Sequence, residues 1–399
     1  MKRILVTAGP VYGRLDDNKL VSNRSRGVWA AKFARRLADR GHQVTLLVPD
    51  IMVRPLATLG VPLPDLRATG ELHLLRHSGF DDYKVKCESA AATHDSAVMA
   101  AAVVNWIPEK PYDGKMPTVG YGVGERINVP FYLAPHVIDR MRVINPKLTL
   151  IGCKMLVGST DEELVDAAYG VVLRAKCNVV LANDLANGLR RKLLVYPDRT
   201  VVEYDDDWDR LYDSLQDVIE DGHWHTEELA EWDFDQMVKL ADSWAEARSL
   251  FDDVAQKFQP RFAWRTKDET FGSLLTRGPG GFLVSSRWKG PLPMPAVVVQ
   301  NIDPENRAVL VAKRSEEGDP APRATMNAPL LVRMWQKYRP AAVLHLHEQL
   351  PGAPSVPYAP PGTDRDNLRD IPAPAFNIEG HGFIACLDAN LNWMKPDDG

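Results

Sequence analysis

The chain is poor in cysteine. Cys87, Cys153, Cys177 and Cys386 lie far apart, and no two form a Cys-x-x-Cys pair. That excludes a disulfide-stapled fold and a thiolate metal site, and it reads as reduced thiols in a cytoplasmic protein. No apolar run reaches the length of a membrane span. A strand-like run begins almost at residue 1, without the charged-then-apolar pattern of a signal peptide. No membrane partner is expected. An excess of positive charge is also missing: 48 Lys and Arg against 53 Asp and Glu leave −5 at pH 7, which gives no basis for a nucleic-acid partner. Internal repeats and low-complexity tracts are absent. What remains, 45% hydrophobic and 25% charged residues, is the composition of a globular protein. At 399 residues, two domains are expected.

The first fifty residues carry the clearest pattern. The apolar run Ile4-Leu5-Val6 ends in small residues, Thr7-Ala8-Gly9. A polar loop follows with Ser22-Asn23-Arg24-Ser25-Arg26-Gly27. Trp29, Phe33 and Leu37 then recur every fourth residue, so Val28 to Arg40 is a helix with one apolar face, and Gly41 suits its C′ position. Val44 to Val48 is a second strand. Strand, loop, helix, strand is a βαβ unit, whose first loop is where such units bind phosphates. Hydroxyls, an amide and two guanidinium groups before a helix N-terminus suit an anionic ligand. A solvated loop is the competing reading.

Further along, residues 51–95 are weakly patterned. Ser96 to Val104 reads as one buried strand, and 116–130 as an irregular segment. Ala134-Pro135-His136-Val137-Ile138 opens a helix with proline near its first turn. Leu148 to Ile151 is a strand. Thr160 and Glu163 form a capping box for a helix reaching about Lys176. Asn178 to Ala182 is a strand, and 193–204 a hairpin around Pro197-Asp198-Arg199. Leu211, Leu215 and Ile219 mark a closing helix. This alternation predicts a doubly wound, Rossmann-like parallel sheet over 1–228. His223-Trp224-His225 reads as a charged helix end at a surface or domain junction, without metal. A helix over 234–258 opens the second domain, 229–399. Short strands follow at 282–284, 296–299 and 308–311, then a loop from Arg314 to Pro322, a helix from Leu330 to Tyr338 and a strand from Ala341 to His347. Residues 350–374 form a proline-rich surface loop, and Phe383 to Leu387 the last strand.

Several stretches of the first half resemble phosphopantothenoylcysteine synthetases, in the family's order. Ile4 to Gly9 and Ser22 to Gly27 are similar to its Thr-Ala-Gly-Pro strand end and Ser-Asn-x-Ser-Ser-Gly loop. Ala100 to Trp106 is similar to Ala-Ala-Val-Ala-Asp-Tyr, Leu150 to Lys154 to its Val-Gly-Phe stretch, and Ala182-Asn183-Asp184 to Ala-Asn-Asp. The resemblance covers roughly 1–225. It implies a ligase that activates a carboxylic acid with CTP or ATP and Mg²⁺. An acyl-nucleotide forms with loss of pyrophosphate, and an amine attacks the acyl carbon. It places Asn23 at the acyl-nucleotide carbonyl, Lys115 on a flap over the nucleotide, and Asn105 where the family has aspartate. Gly9, Ser22, Ser25, Gly27, Ala101, Ala102, Pro135, His136, Val137, Ile138, Cys153 and Lys176 would border the nucleotide. Arg24 and Arg26 would meet an anionic acid; Arg26 stands where the family has its second serine. Only Arg174 or Lys176 could replace a missing phosphate-binding lysine. A homodimer or higher oligomer is implied as well.

In the second half, His345 and His347 alternate on an expected strand and so share one face, and His381 precedes another strand. Three imidazoles would make an open site for a divalent metal, zinc first; three unrelated polar histidines are the alternative. Phe271-Gly272-Ser273, Gly280 to Ser286, Leu330 to His347 and His381-Gly382 resemble the class II aldolase/adducin family. That resemblance implies an α/β aldolase-like domain with these histidines on zinc. It departs at the acid/base position: Arg287, Trp288 and Lys289 follow Ser286 where an acidic residue is expected, and Ala324-Thr325-Met326-Asn327 lacks a second glutamate. Glu348 is the nearest replacement. The leading expectation is therefore an acid–amine ligase joined to an aldolase-like domain. The rivals are a non-catalytic binding or assembly protein, and a metal-dependent lyase centred on the second domain.

Overall fold

The computed structural model describes residues 1–51, 72–186, 191–229, 241–263, 270–287, 294–312 and 323–395. The expected loop from Arg314 to Pro322 falls wholly outside them, as do Trp288, Lys289 and the start of the 234–258 helix. The chain divides into two compact units, Met1–Gly222 and His223–Gly399, each described by itself.

The first unit is built on an eight-stranded sheet. Its order is Val201–Tyr204, Lys192–Val195, Val179–Asp184, Thr149–Leu156, Ser96–Met99, Arg3–Thr7, Gln43–Pro49, Leu72–His77. The last six are mutually parallel, and the hairpin at the other edge runs antiparallel. Chain order reverses between Arg3–Thr7 and Ser96–Met99, so the topological switch point of the sheet lies there. The helix Val28–Asp39 packs as its spacing requires, with Phe33 and Leu37 fully buried and Gly41 in the left-handed conformation just past its end. Burying each of those two side chains stabilises the unit by about 1.5–3 kcal/mol. The capping box is present: Glu163 N–H donates to Thr160 Oγ1 at 3.3 Å, and Thr160 N–H to Glu163 Oε2 at 2.8 Å.

The first unit differs from the sequence-based expectation at three places. The stretch 51–95 holds a strand, Leu72–His77, and a helix, Phe80–Thr93. The buried face of that helix includes Cys87, Ala90 and Ala91, too small to stand out in the sequence. Ser96 to Val104 is not one strand. It leaves the main sheet after Met99, and Ala102–Val103 pairs instead with Pro10–Val11. The helix after Pro135 starts at Val137, with His136 as its N-cap.

The second unit is a nine-stranded mixed sheet, mostly antiparallel. Its order is His225–Leu229, Ala308–Ala312, Ala296–Asp303, Gly281–Ser285, Ser273–Gly278, Ala342–Leu346, Gly382–Leu387, Ala375–Ile378, Ser355–Val356. Among the described residues, only the two outermost pairs are parallel. Alternate side chains feed two cores. Leu275, Val343 and Ile384 pack with the helix Ala328–Tyr338, while Leu274, Leu344 and Phe383 pack with the helix Ala241–Phe258.

His223-Trp224-His225 is no charged helix end. All three are buried, Trp224 Nε1 donates to Asp364 Oδ1 at 2.9 Å, and His225 begins the first strand of this sheet. Nor is 350–374 simply a surface loop: Ala359 to Thr363 is buried, and Asp364–Asn367 forms a helical turn.

Candidate functional site

At the switch point of the first sheet, backbone bonds knit several loops together. Ala101 N–H donates to Thr7 Oγ1 at 3.0 Å, and Ala102 N–H to Gly9 O at 2.9 Å. The two small alanines let the 100–103 backbone lie against the end of the first strand. Asn23 Nδ2 donates to the carbonyls of Ala102 at 3.1 Å and Val103 at 2.9 Å, which ties the Ser22–Gly27 loop to the same place. Gly27 closes the loop with φ +65°. A Cβ on it would lie 2.6 Å from Gly9 N, so only glycine lets the helix N-terminus come this near the strand end. Asn105 O accepts from Ala134 N–H at 2.7 Å, which brings Pro135, His136, Val137 and Ile138 alongside.

Thus Gly9, Ser22, Asn23, Ser25, Gly27, Ala101, Ala102, Asn105 and the 135–138 turn share one edge of the sheet. Arg24 and Arg26 are exposed on the same loop. Cys153 sits inside the strand Thr149–Leu156, half-buried. Lys176 is elsewhere. It is the left-handed C-cap of the helix Asp161–Ala175, which runs back to the start of the next parallel strand, so it stands at the opposite edge of the sheet.

Lys115 is exposed on the segment joining the paired strands Trp106–Pro108 and Phe131–Leu133. That segment is tied to the small hairpin Gly13–Arg14/Leu20–Val21 by two carboxylates, which sequence reasoning missed. Asp16, fully buried, accepts from Met116 N–H at 2.9 Å and from Lys19 Nζ at 2.8 Å. Asp17 Oδ2 accepts from Gly114 N–H at 3.0 Å. The lysine ion pair and the backbone donors hold the Asp16 carboxyl well below the usual carboxylate range. Asp184, at the end of the strand Val179–Asp184, has a related anchoring role: it accepts from the Gly158 and Ser159 N–H groups at 3.0 and 2.8 Å.

In the second unit, the three expected histidines come together. His345, His347 and His381 have ring centroids 4.5–4.9 Å apart, and their candidate ligand atoms all lie within 4.8 Å of one another. His345 is buried, and its Nδ1 donates to Phe383 O at 2.9 Å, which directs the lone pair of Nε2 toward the cluster. Phe271 stacks on His347 at 4.5 Å and 11°. His381 is brought in by the turn Gly380–Gly382. A Cβ on Gly382 would lie 2.0 Å from Leu346 O, so the turn presses directly on the neighbouring strand. Tetrahedral zinc ligands stand about 3.3 Å apart, so small ring rotations would close this set on an ion. Glu348 is engaged elsewhere, paired with Arg261 at 2.5 Å.

Comparison with known proteins bears on the first unit. Residues 1–192 match the family model of the DNA/pantothenate metabolism flavoprotein C-terminal domain. The chain is 27% identical over 184 residues to a coenzyme A biosynthesis bifunctional protein of Thermococcus kodakarensis; the match covers 46% of this chain and 41% of that protein. It is 26% identical over 189 residues to a cysteine/cysteine sulfinic acid decarboxylase from an unknown prokaryotic organism, covering 46% of each. The chain thus spans less than half the length of these curated relatives. Among solved structures, it is similar to the DNA/pantothenate metabolism flavoprotein of Streptococcus pneumoniae, with 19% identity, a TM-score of 0.45, and 54% of this chain and 99% of that one covered. The N-terminal half is therefore related to the phosphopantothenoylcysteine synthetase domain, and the family model ends at residue 192.

Proposed function

We propose that the first unit is a nucleotide-dependent acid–amine ligase. One observation carries this reading: within the stretch matched by the family model, Gly9, Asn23, Gly27 and Ala102 are bonded or pressed together at the switch point of a parallel sheet. The helix N-terminus behind Gly27 favours phosphate. Carboxylate oxygen would attack the α-phosphate of CTP or ATP and release pyrophosphate; an amine would then attack the acyl carbon and release the nucleoside monophosphate. Asn23 would turn its amide N–H from the Ala102 carbonyl to the acyl carbonyl. Lys115 would neutralise charge developing on phosphate. Mg²⁺ would accompany the triphosphate. Arg24 and Arg26 favour an acid with an anionic group of its own.

The test is a thermal-shift series with CTP, ATP, GTP and UTP in Mg²⁺. At 100 times its dissociation constant a nucleotide should stabilise the protein by about 2.7 kcal/mol. A protein that none of the four stabilises is not this ligase.

For the second unit, convergence of three imidazoles favours a bound divalent metal, zinc first. His345, His347 and His381 would hold it, and it would polarise a carbonyl oxygen. With Arg287 after Ser286 and Glu348 paired to Arg261, metal binding with little lyase activity is the reading that fits. Elemental analysis of the wild type and His381→Ala checks it: equal metal content in both sinks it.

A further inference from the structure

We infer that Asp16 and Asp17 form a clamp that positions Lys115, an inference resting on the ligase reading above. Lys115 lies between two residues whose backbone amides are each held by a carboxylate of the 13–21 hairpin. Gly114 N–H donates to Asp17 Oδ2 at 3.0 Å, and Met116 N–H to Asp16 Oδ2 at 2.9 Å. Gly114 O accepts in turn from Asp17 N–H at 3.0 Å, and Leu15 O from Tyr112 N–H at 2.9 Å. Lys115 itself is exposed. Its backbone is fixed on both sides while its side chain stays free to reach a ligand.

The hairpin is placed for this. Gly13 packs on the strand Trp106–Pro108, where an added Cβ would meet Pro108 Cδ at 3.0 Å. Its other end runs directly from Val21 into Ser22 and Asn23. One hairpin therefore connects the anion-binding loop to the segment bearing the lysine. Asp16 is the stronger half of the clamp. It is fully buried, and besides Met116 it holds Lys19 Nζ at 2.8 Å and the N–H groups of Asn18 at 2.7 Å and Lys19 at 2.5 Å. A charged acceptor makes such bonds roughly twice as strong as a neutral one. Asparagine there would set an NH₂ group against a donor. Asp17 is more than half exposed, so its replacement threatens the fold little.

Hydrogen exchange and a mutant cycle test the clamp. In Asp16→Asn and in Asp17→Ala, the Gly114 and Met116 amides should exchange about 10-fold faster, while the helix Val28–Asp39 keeps its protection. This measurement needs no turnover, so it decides the clamp even if no nucleotide is used. In turnover, Asp16→Asn should lower kcat/KM about 10-fold. The double variant with Lys115→Ala should be no worse than Lys115→Ala alone, since both act through one group. Unchanged exchange at 114 and 116 overturns the clamp. Faster exchange with fully additive losses overturns its link to Lys115.

Discussion

The two glycines flanking His381 provide a controlled experiment. Both have positive φ, 68° for Gly380 and 150° for Gly382, but their surroundings differ. A Cβ on Gly380 would meet none of the described residues within 4 Å. Gly380→Ala should therefore cost only the left-handed backbone, about 1–2 kcal/mol. A Cβ on Gly382 would fall 2.0 Å from Leu346 O and 2.9 Å from the Cα of His347. Neither is the far end of a flexible side chain. Leu346 ends a central strand that is flanked on its other side by Ser273–Gly278, so that strand cannot retreat. Gly382→Ala must push its own turn outward, at a cost of roughly 1–3 kcal/mol for overpacking on top of the backbone term. The same displacement carries His381 away from His345 and His347. Zinc affinity should then fall by at least the roughly 10–100-fold that losing an orienting partner costs. Urea midpoints give the first quantity, and zinc titration against a chelator the second. Equal losses of stability in the two variants, or wild-type zinc affinity in Gly382→Ala, would refute the role given to this turn.

Three further outcomes are expected. Asn23→Asp should keep the fold and abolish ligation, because a carboxylate cannot donate to the Ala102 and Val103 carbonyls or to an acyl carbonyl; turnover at the wild-type rate would contradict this. His77, buried between Tyr12 and Tyr83, has its pKa pushed down by burial from 6.5 to about 4. Its contribution is complete above pH 6.5 and is lost as pH falls toward 4, up to roughly 3 kcal/mol. His77→Phe should thus show a flatter loss of stability between pH 7 and 4.5, and an unaltered slope would count against the assignment. Finally, Val119, Tyr121 and Val123 on the 116–130 segment are exposed at 91%, 50% and 112%, as an interface would require. Light scattering should give a dimer mass, reduced by Val123→Asp; a monomeric wild type would exclude it.

Strong periodicity and local capping were legible without coordinates. The opening βαβ unit and the Thr160 capping box follow from spacing alone, because their determinants lie within one turn or one strand. The helix Phe80–Thr93 was hidden because alanine and cysteine supply much of its apolar face. The break after Met99 was hidden because its cause is distant: the small residues at 100–102 serve contact with Thr7 and Gly9, not strand pairing. The three histidines could be picked out, yet their convergence depends on Gly382 touching Leu346, a contact 36 residues apart that no local pattern encodes. Asp16 and Asp17 belong to no motif in the sequence. Their role appears only when the segment near residue 115 is placed against them.

The strand His225–Leu229 has a consequence for how the chain can be divided. It follows the last helix of the first unit almost at once, yet it forms the outer edge of the second sheet, parallel to Ala308–Ala312. Cutting the polypeptide at 228/229 would leave most of that strand with the wrong fragment. The backbone donors and acceptors of Ala308–Ala312 would then face water beside the apolar side chains of Val309 and Val311, an open template for pairing with another chain. A C-terminal fragment starting before His223 keeps its own border strand and should stay dispersed, whereas one starting at 229 should self-associate through the bared edge.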